Sequence, residues 1–210
     1  MTRTSELGPD ATAPRVILAS ASRIRRTMLA NAGVDVVCEP AAVDEGVVKD
    51  AMRGRGEDVD AIAAALAGLK AAAVSARHPD ALVIGADSMI ACGDTHFDKP
   101  PDPARAVEQL LSLSGRTHRL LSAAVVMQGG VCVWQKVDAA HLTMRPFARG
   151  FAERYVATIG DAATASVGAY QLEGLGAQLF TRVEGDFFTV LGLPLLPLLD
   201  FLRSQGVIAR

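Results

Sequence analysis

Residues 16–29 read VILASASRIRRTML, and this stretch constrains the fold more than any other. Val16, Ile17 and Leu18 have the character of a buried strand. Ala19-Ser20-Ala21-Ser22 supply a turn of small and hydroxylic residues. Arg25 and Arg26 follow as a helix begins, and Met28 and Leu29 return to the core. A strand that passes through a tight turn into a helix is the working unit of an α/β protein. It also builds an anion site, because first-turn N–H groups lack intrahelical partners and the helix dipole is positive there. Ser20 and Ser22 add hydroxyls that can cap the helix or reach a phosphate oxygen. Arginines in a first turn oppose the dipole, and a polyphosphate is the natural reason to place two of them there. The plainer alternative is a capping serine beside two solvated arginines.

The rest of the chain continues the α/β pattern. Val34–Cys38 reads as a second strand after the Gly33 helix stop, followed by a polar loop carrying Glu39-Pro40 and Asp44-Glu45. Residues 57–77 form a long alanine-rich helix with Ile62, Leu66 and Leu69 on its apolar stripe. ALVIG at 81–85 is a continuous apolar run, as in a strand buried on both faces. It ends in Ala86-Asp87-Ser88, and residues 89–92 continue extended toward a Gly93-Asp94 turn. Lys99-Pro100-Pro101 is a stiff connection. A helix over 102–113 has Asp102 as cap and Pro103 at its first position. Residues 117–128 and 131–144 pair as a hairpin across Gly129-Gly130. Residues 147–159 are helical, and 166–176 are glycine-rich and irregular. Residues 178–183 and 187–191 are expected to pair across Glu184-Gly185-Asp186, and 194–205 to close the chain as a helix. The expected fold is α/β, a mixed twisted β-sheet flanked by helices.

Composition limits the function classes. Of 210 residues half are hydrophobic, enough for an ample core in one large domain or two small ones, and a single domain over 15–210 is expected. Residues 1–14 are expected to be a disordered tail; they hold no apolar h-region, so no signal peptide is expected. The apolar run 190–199 is too short, and too broken by Gly192, Pro194 and Pro197, to span a bilayer. A net charge of −2 argues against a stable nucleic-acid face. Cys38, Cys92 and Cys132 lie far apart, which fits buried thiols of a cytoplasmic protein. The four histidines form no metal-ligand spacing and read as surface or packing residues.

Four more positions carry chemistry. Asp87 ends a buried strand, where open α/β sheets bind ligands and where a carboxylate can hold Mg²⁺ or activate water; a turn-capping Asp is the alternative. Lys70 interrupts an apolar helix stretch, as a phosphate ligand or a snorkelling lysine. Lys99 sits on the stiff proline connection, and surface charge is its alternative. Glu173 lies in the glycine-rich loop, where backbone can approach a flat ligand closely; an exposed loop acid is its alternative. Hydroxyls, cations and carboxylates together are what nucleoside triphosphate chemistry requires.

In order along the chain come LASAS…RR at 18–26, EP…DE at 39–45, LAGLKA at 66–71, GADS at 85–88, DKP at 98–100, LSGRTH at 113–118, VGAYQLEGLGAQLF at 167–180 and VLGLPL at 190–195. This series resembles the Maf family of nucleotide pyrophosphatases. The resemblance implies a Maf/ITPase-like fold with a central nucleotide-binding cleft. It also implies hydrolysis of nucleoside triphosphates, modified ones included, to monophosphate and pyrophosphate with a divalent metal, Mg²⁺ or Mn²⁺. By motif match Ser20, Ser22, Arg25 and Arg26 belong to the phosphate loop, Lys70 and Lys99 are the cleft lysines, and Asp87 is the base. Glu39, Asp44 and Glu45 are further metal candidates beside Asp87. Glu173 stands where members carry Gln or Glu, and a Glu there is like the branch selective for 7-methyl-GTP. Arg23-Ile24 replaces the proline that many members carry after the second serine, and GADS replaces the commoner Thr or Gln form. The resemblance and the apolar hairpins are compatible with a homodimer. A nucleotide-sensing regulator of septum formation and a nucleotidyltransferase are the alternative functions.

Overall fold

The computed structural model describes residues 13–209; residues 1–12 of the expected tail lie outside the described residues. Strand β1 (Val16–Leu18) leads into helix α1 (Arg23–Asn31) and strand β2 (Val36–Cys38). Helices α2 (Glu45–Gly54) and α3 (Val59–Ser75) precede strands β3 (Leu82–Cys92) and β4 (Thr95–Phe97). Helix α4 (Pro103–Leu113), strands β5 (Thr117–Gln128) and β6 (Val131–Met144), and helices α5 (Arg149–Ile159) and α6 (Ala162–Ala165) follow. Strand β7 (Phe180–Glu184) and helices α7 (Phe187–Val190) and α8 (Leu195–Ser204) complete the order. The sheet runs β2-β1-β3-β5-β6-β7, with β4 paired to β3. β1 is parallel to β2 and β3, whereas β4 and β7 are antiparallel to their partners. The expected mixed α/β sheet is therefore present.

The described residues form two compact units, one of residues 13–87, 122–138 and 192–209 and the other of residues 88–121 and 139–191. In the first, β1 and residues 82–87 of β3 are buried on both faces, and Ile17, Leu18, Ile84, Ile62 and Leu66 have no exposed surface. The second has its own core, where Leu110 and Leu113 of α4 pack with Leu142 of β6, Tyr155 and Val156 of α5 and Leu179. Among the described residues no helix is long and apolar enough to cross a membrane.

Local chemistry explains most boundaries. Asp102 accepts a hydrogen bond from Arg105 N at 2.8 Å, and Pro103 starts α4. Gly129 and Gly130, at φ +56° and +77°, make the two-residue turn between β5 and β6. Four expectations change. Glu45 is not in a loop: Asp44 caps α2 by accepting from Val47 N at 3.1 Å. Residues 187–190 are helical rather than a strand, because Asp186 caps them by accepting from Thr189 N at 2.8 Å, and β7 pairs instead with β6. Leu69 falls outside the buried stripe of α3 and is 42% exposed. Of the three free thiols only Cys92 is buried, while Cys132 is exposed.

Candidate active site

The decisive contact in the first unit begins with a glycine. A Cβ on Gly85 would lie 2.0 Å from the Ala67 carbonyl oxygen and 2.6 Å from Ala71 N. Only glycine lets α3 lie this close to β3. Lys70 lies between Ala67 and Ala71 on the helix, and Asp87 lies two residues beyond Gly85, on the same face of the strand. The close approach therefore brings the two charges together. Lys70 Nζ donates to Asp87 Oδ1 at 2.7 Å and reaches Glu45 Oε1 at 2.8 Å. Lys70 and Asp87 are both buried, whereas the Glu45 side chain is 41% exposed. Asp87 Oδ2 is buried without a hydrogen-bond partner. Asp87 does not end its strand, since β3 runs on to Cys92. It lies three residues past Ile84, where pairing with β1 stops, so it stands beyond the end of the parallel pair.

The turn after β1 faces the same strand. Ala19 N donates to the Ile84 carbonyl at 2.8 Å. Ser22 caps α1, accepting from Arg25 N at 3.4 Å. Ser20 Oγ accepts from Ser22 N at 3.2 Å and from Arg25 Nη1 at 3.4 Å. With both lone pairs engaged, the Ser20 hydroxyl keeps its proton to donate. Arg25 also donates from Nε to the Gly192 carbonyl at 2.8 Å and from Nη1 to the Ala86 carbonyl at 3.0 Å. Burial lowers the pKa of this guanidinium, and the charges of Asp87 and Glu45 pull it back upward. Arg26, one position on, is exposed. Arg25 thus braces the backbone next to Asp87, and Arg26 is the more accessible cation of the pair.

The remaining candidates have partners of their own or belong to the second unit. Glu39 accepts from Arg77 Nε at 2.9 Å and pairs with His78 Nε2 at 2.7 Å; the hydrogen bonds from Arg77 and then His78 hold its pKa low. The Asp44 carboxylate is the α2 cap. Lys99 and Glu173 belong to the second unit and are both exposed, Lys99 between β4 and α4 and Glu173 in the glycine-rich loop. Among the described residues no three His, Cys, Asp or Glu side chains gather as a metal-ligand set. Two carboxylates around one ammonium, one of them with an unpartnered buried oxygen, nevertheless fit Mg²⁺, which binds through one or two carboxylates together with substrate phosphates. Sequence reasoning missed the Ala86 and Gly192 carbonyls, which carry no side-chain signal. It also missed the packing role of Gly85, which a glycine inside an apolar strand did signal.

The family model described as Maf-like protein matches residues 15–205. The chain belongs to the Maf family. Similar relatives of this Maf chain include a nucleoside triphosphate pyrophosphatase of Paramagnetospirillum magneticum, 54% identical over 90% of this chain and 98% of the relative. A 7-methyl-GTP pyrophosphatase of Rhizobium etli is 49% identical over 93% of this chain and 98% of its own. A solved nucleoside-triphosphatase / dITP/XTP pyrophosphatase of Mycobacterium abscessus aligns with 91% of the Maf chain and 94% of its own, at 16% identity and a TM-score of 0.40.

Proposed function

We propose that this Maf protein hydrolyses nucleoside triphosphates to the monophosphate and pyrophosphate. The buried Lys70 held between Asp87 and Glu45, beside the serine turn that opens α1, carries the reading. The first turn of α1, the Ser20 hydroxyl and Arg26 bind phosphate oxygens, with Arg25 keeping the turn in register. Asp87 accepts the proton of the attacking water at Oδ2. The water oxygen bonds to the α-phosphorus, the bond from that phosphorus to the β-bridging oxygen breaks, and pyrophosphate leaves. Lys70 offsets the charge that builds on the phosphates. Glu45 and Asp87 would hold the divalent metal, which supplies charge neutralisation and a more acidic bound water. Lys99 contributes a further cation to the triphosphate. The family model spans both compact units, which supports treating residues 15–210 as one functional domain.

Glu173 sets the base preference. An ionised carboxylate only accepts hydrogen bonds, which suits the N1–H and N2 amino edge of guanine, and a cationic 7-methylguanine still more. The two carbonyls of uracil or thymine would repel it. The 49% identity to a 7-methyl-GTP pyrophosphatase supports the same preference. The test is to incubate the pure protein with Mg²⁺ and a panel of 7-methyl-GTP, GTP, UTP and TTP and to separate the products. Monophosphate and pyrophosphate are expected, fastest from the guanine-type substrates. Nucleoside diphosphate with orthophosphate as first products would refute the reaction. Tight nucleotide binding without turnover would instead leave a sensor, and turnover only with an added acceptor a nucleotidyltransferase.

A further inference from the structure

The second unit holds a buried polar pair that the reaction does not use. His118, near the start of β5, shares a hydrogen bond of 2.9 Å between Nε2 and the Tyr170 hydroxyl. Both residues are buried, and the His118 Nδ1 has no hydrogen-bond partner. The rings of His118, Tyr170 and Phe180 pack against one another at steep angles, with His118 tilted to both and Tyr170 edge-on to Phe180 at 4.9 Å. Burial drops the His118 imidazole to about 4 and raises the Tyr170 hydroxyl, so both are neutral near pH 7. An apolar pair would fill this space without an orphaned nitrogen, so the bond has a use beyond filling.

Tyr170 anchors the glycine-rich loop at its start. Ala169 just before it has φ +60°, a left-handed conformation that a non-glycine residue holds only when its surroundings fix it. A Cβ on Gly168 would lie 2.5 Å from Ile90 Cδ1 and 2.7 Å from Tyr170 Cε1. The next residue, Gln171, donates its N–H to the Tyr155 hydroxyl at 3.4 Å and accepts from Gly174 N at 3.2 Å. Gly176 closes on the same residue, where a Cβ would lie 2.3 Å from the Gln171 carbonyl oxygen. The loop from 168 to 176 is wound around Gln171, and Glu173 sits at its exposed crest.

We infer that His118 and Tyr170 are positioning residues for base selection: their hydrogen bond fixes the loop that presents Glu173 to the nucleobase. This rests on the proposed hydrolysis and on Glu173 meeting the base. Tyr170→Phe removes one oxygen and keeps the ring, so it isolates the bond. His118→Leu removes the partner, and His118→Gln returns a neutral group able to donate and accept. The readout is the ratio of kcat/KM for 7-methyl-GTP to that for UTP. The ratio should fall about fivefold in Tyr170→Phe and in His118→Leu, the scale of one neutral hydrogen bond. The double variant should fall no further, His118→Gln should recover most of the ratio, and kcat at saturation should change less than about twofold. A lower thermal midpoint with an unchanged ratio would mean that the pair is merely structural and overturns the inference. Glu173→Gln serves as the reference. If it shifts the ratio and the pair variants do not, the inference alone fails. If Glu173→Gln leaves the ratio unchanged while hydrolysis persists, Glu173 does not read the base and the inference falls with that reading.

Discussion

Removing Asp87 tests the burial argument and the chemical role together. The Asp87 side chain is 7% exposed and Lys70 11%, so their 2.7 Å pair lies where water cannot replace a lost partner. Breaking a buried pair from one side costs about 3–5 kcal/mol. Asp87→Ala should therefore lower the melting temperature by roughly 6–20 °C, at about 2–4 °C per kcal/mol for a chain of this size. Glu45 contacts the same ammonium at 2.8 Å from a side chain that is 41% exposed, where a pair contributes about 0–1 kcal/mol. Glu45→Gln should shift the melting temperature by no more than about 4 °C. Asp87→Asn keeps an acceptor at Oδ1 while Glu45 still neutralises Lys70, so its loss should be about 1–3 kcal/mol. Folded Asp87→Asn should bind nucleotide and yet turn over roughly 10²–10⁴-fold slower, the usual contribution of a positioned base. Calorimetry gives the stabilities, titration with nucleotide the affinity, and pyrophosphate release the rate. Wild-type turnover by Asp87→Asn would refute the assignment. Equal destabilisation by Glu45→Gln and Asp87→Ala would refute the reasoning from burial.

Gly85→Ala should abolish the α3–β3 approach and cost more than about 3 kcal/mol, read as loss of soluble protein or a large fall in melting temperature, because the new methyl meets backbone rather than a movable side chain. Arg26→Ala should change stability by less than about 0.5 kcal/mol and raise KM, whereas Arg25→Ala should lower both stability and kcat by freeing the Ala86 and Gly192 carbonyls; identical behaviour of the two variants would contradict this division. His118 has a folded pKa of about 4 against 6.5 unfolded, so the unfolded chain binds the extra proton between those values. Its contribution is therefore intact above pH 6.5 and falls by about 3 kcal/mol as the pH drops to 4, and the melting temperature of His118→Gln should decline less steeply over that window.

Local chemistry made much of this molecule legible from residues alone. The β1–turn–α1 unit, the Asp102-Pro103 start of α4 and the Gly129-Gly130 hairpin follow from caps, proline, glycine and apolar runs that act within a few residues. The identities of Lys70 and Asp87 as chemical candidates were also visible, because charges are conspicuous in apolar stretches. Where local signals competed, they misled. The apolar residues after Asp186 read as a strand until the aspartate is recognised as a cap, and Asp44 hid the start of α2 in the same way. Tertiary structure alone decided which charges meet. Lys70 and Asp87 are 17 residues apart, and their contact depends on the absence of a side chain at Gly85. The brace from Arg25 ends on two carbonyl oxygens, groups that every residue carries and that only the folded path of the backbone can select.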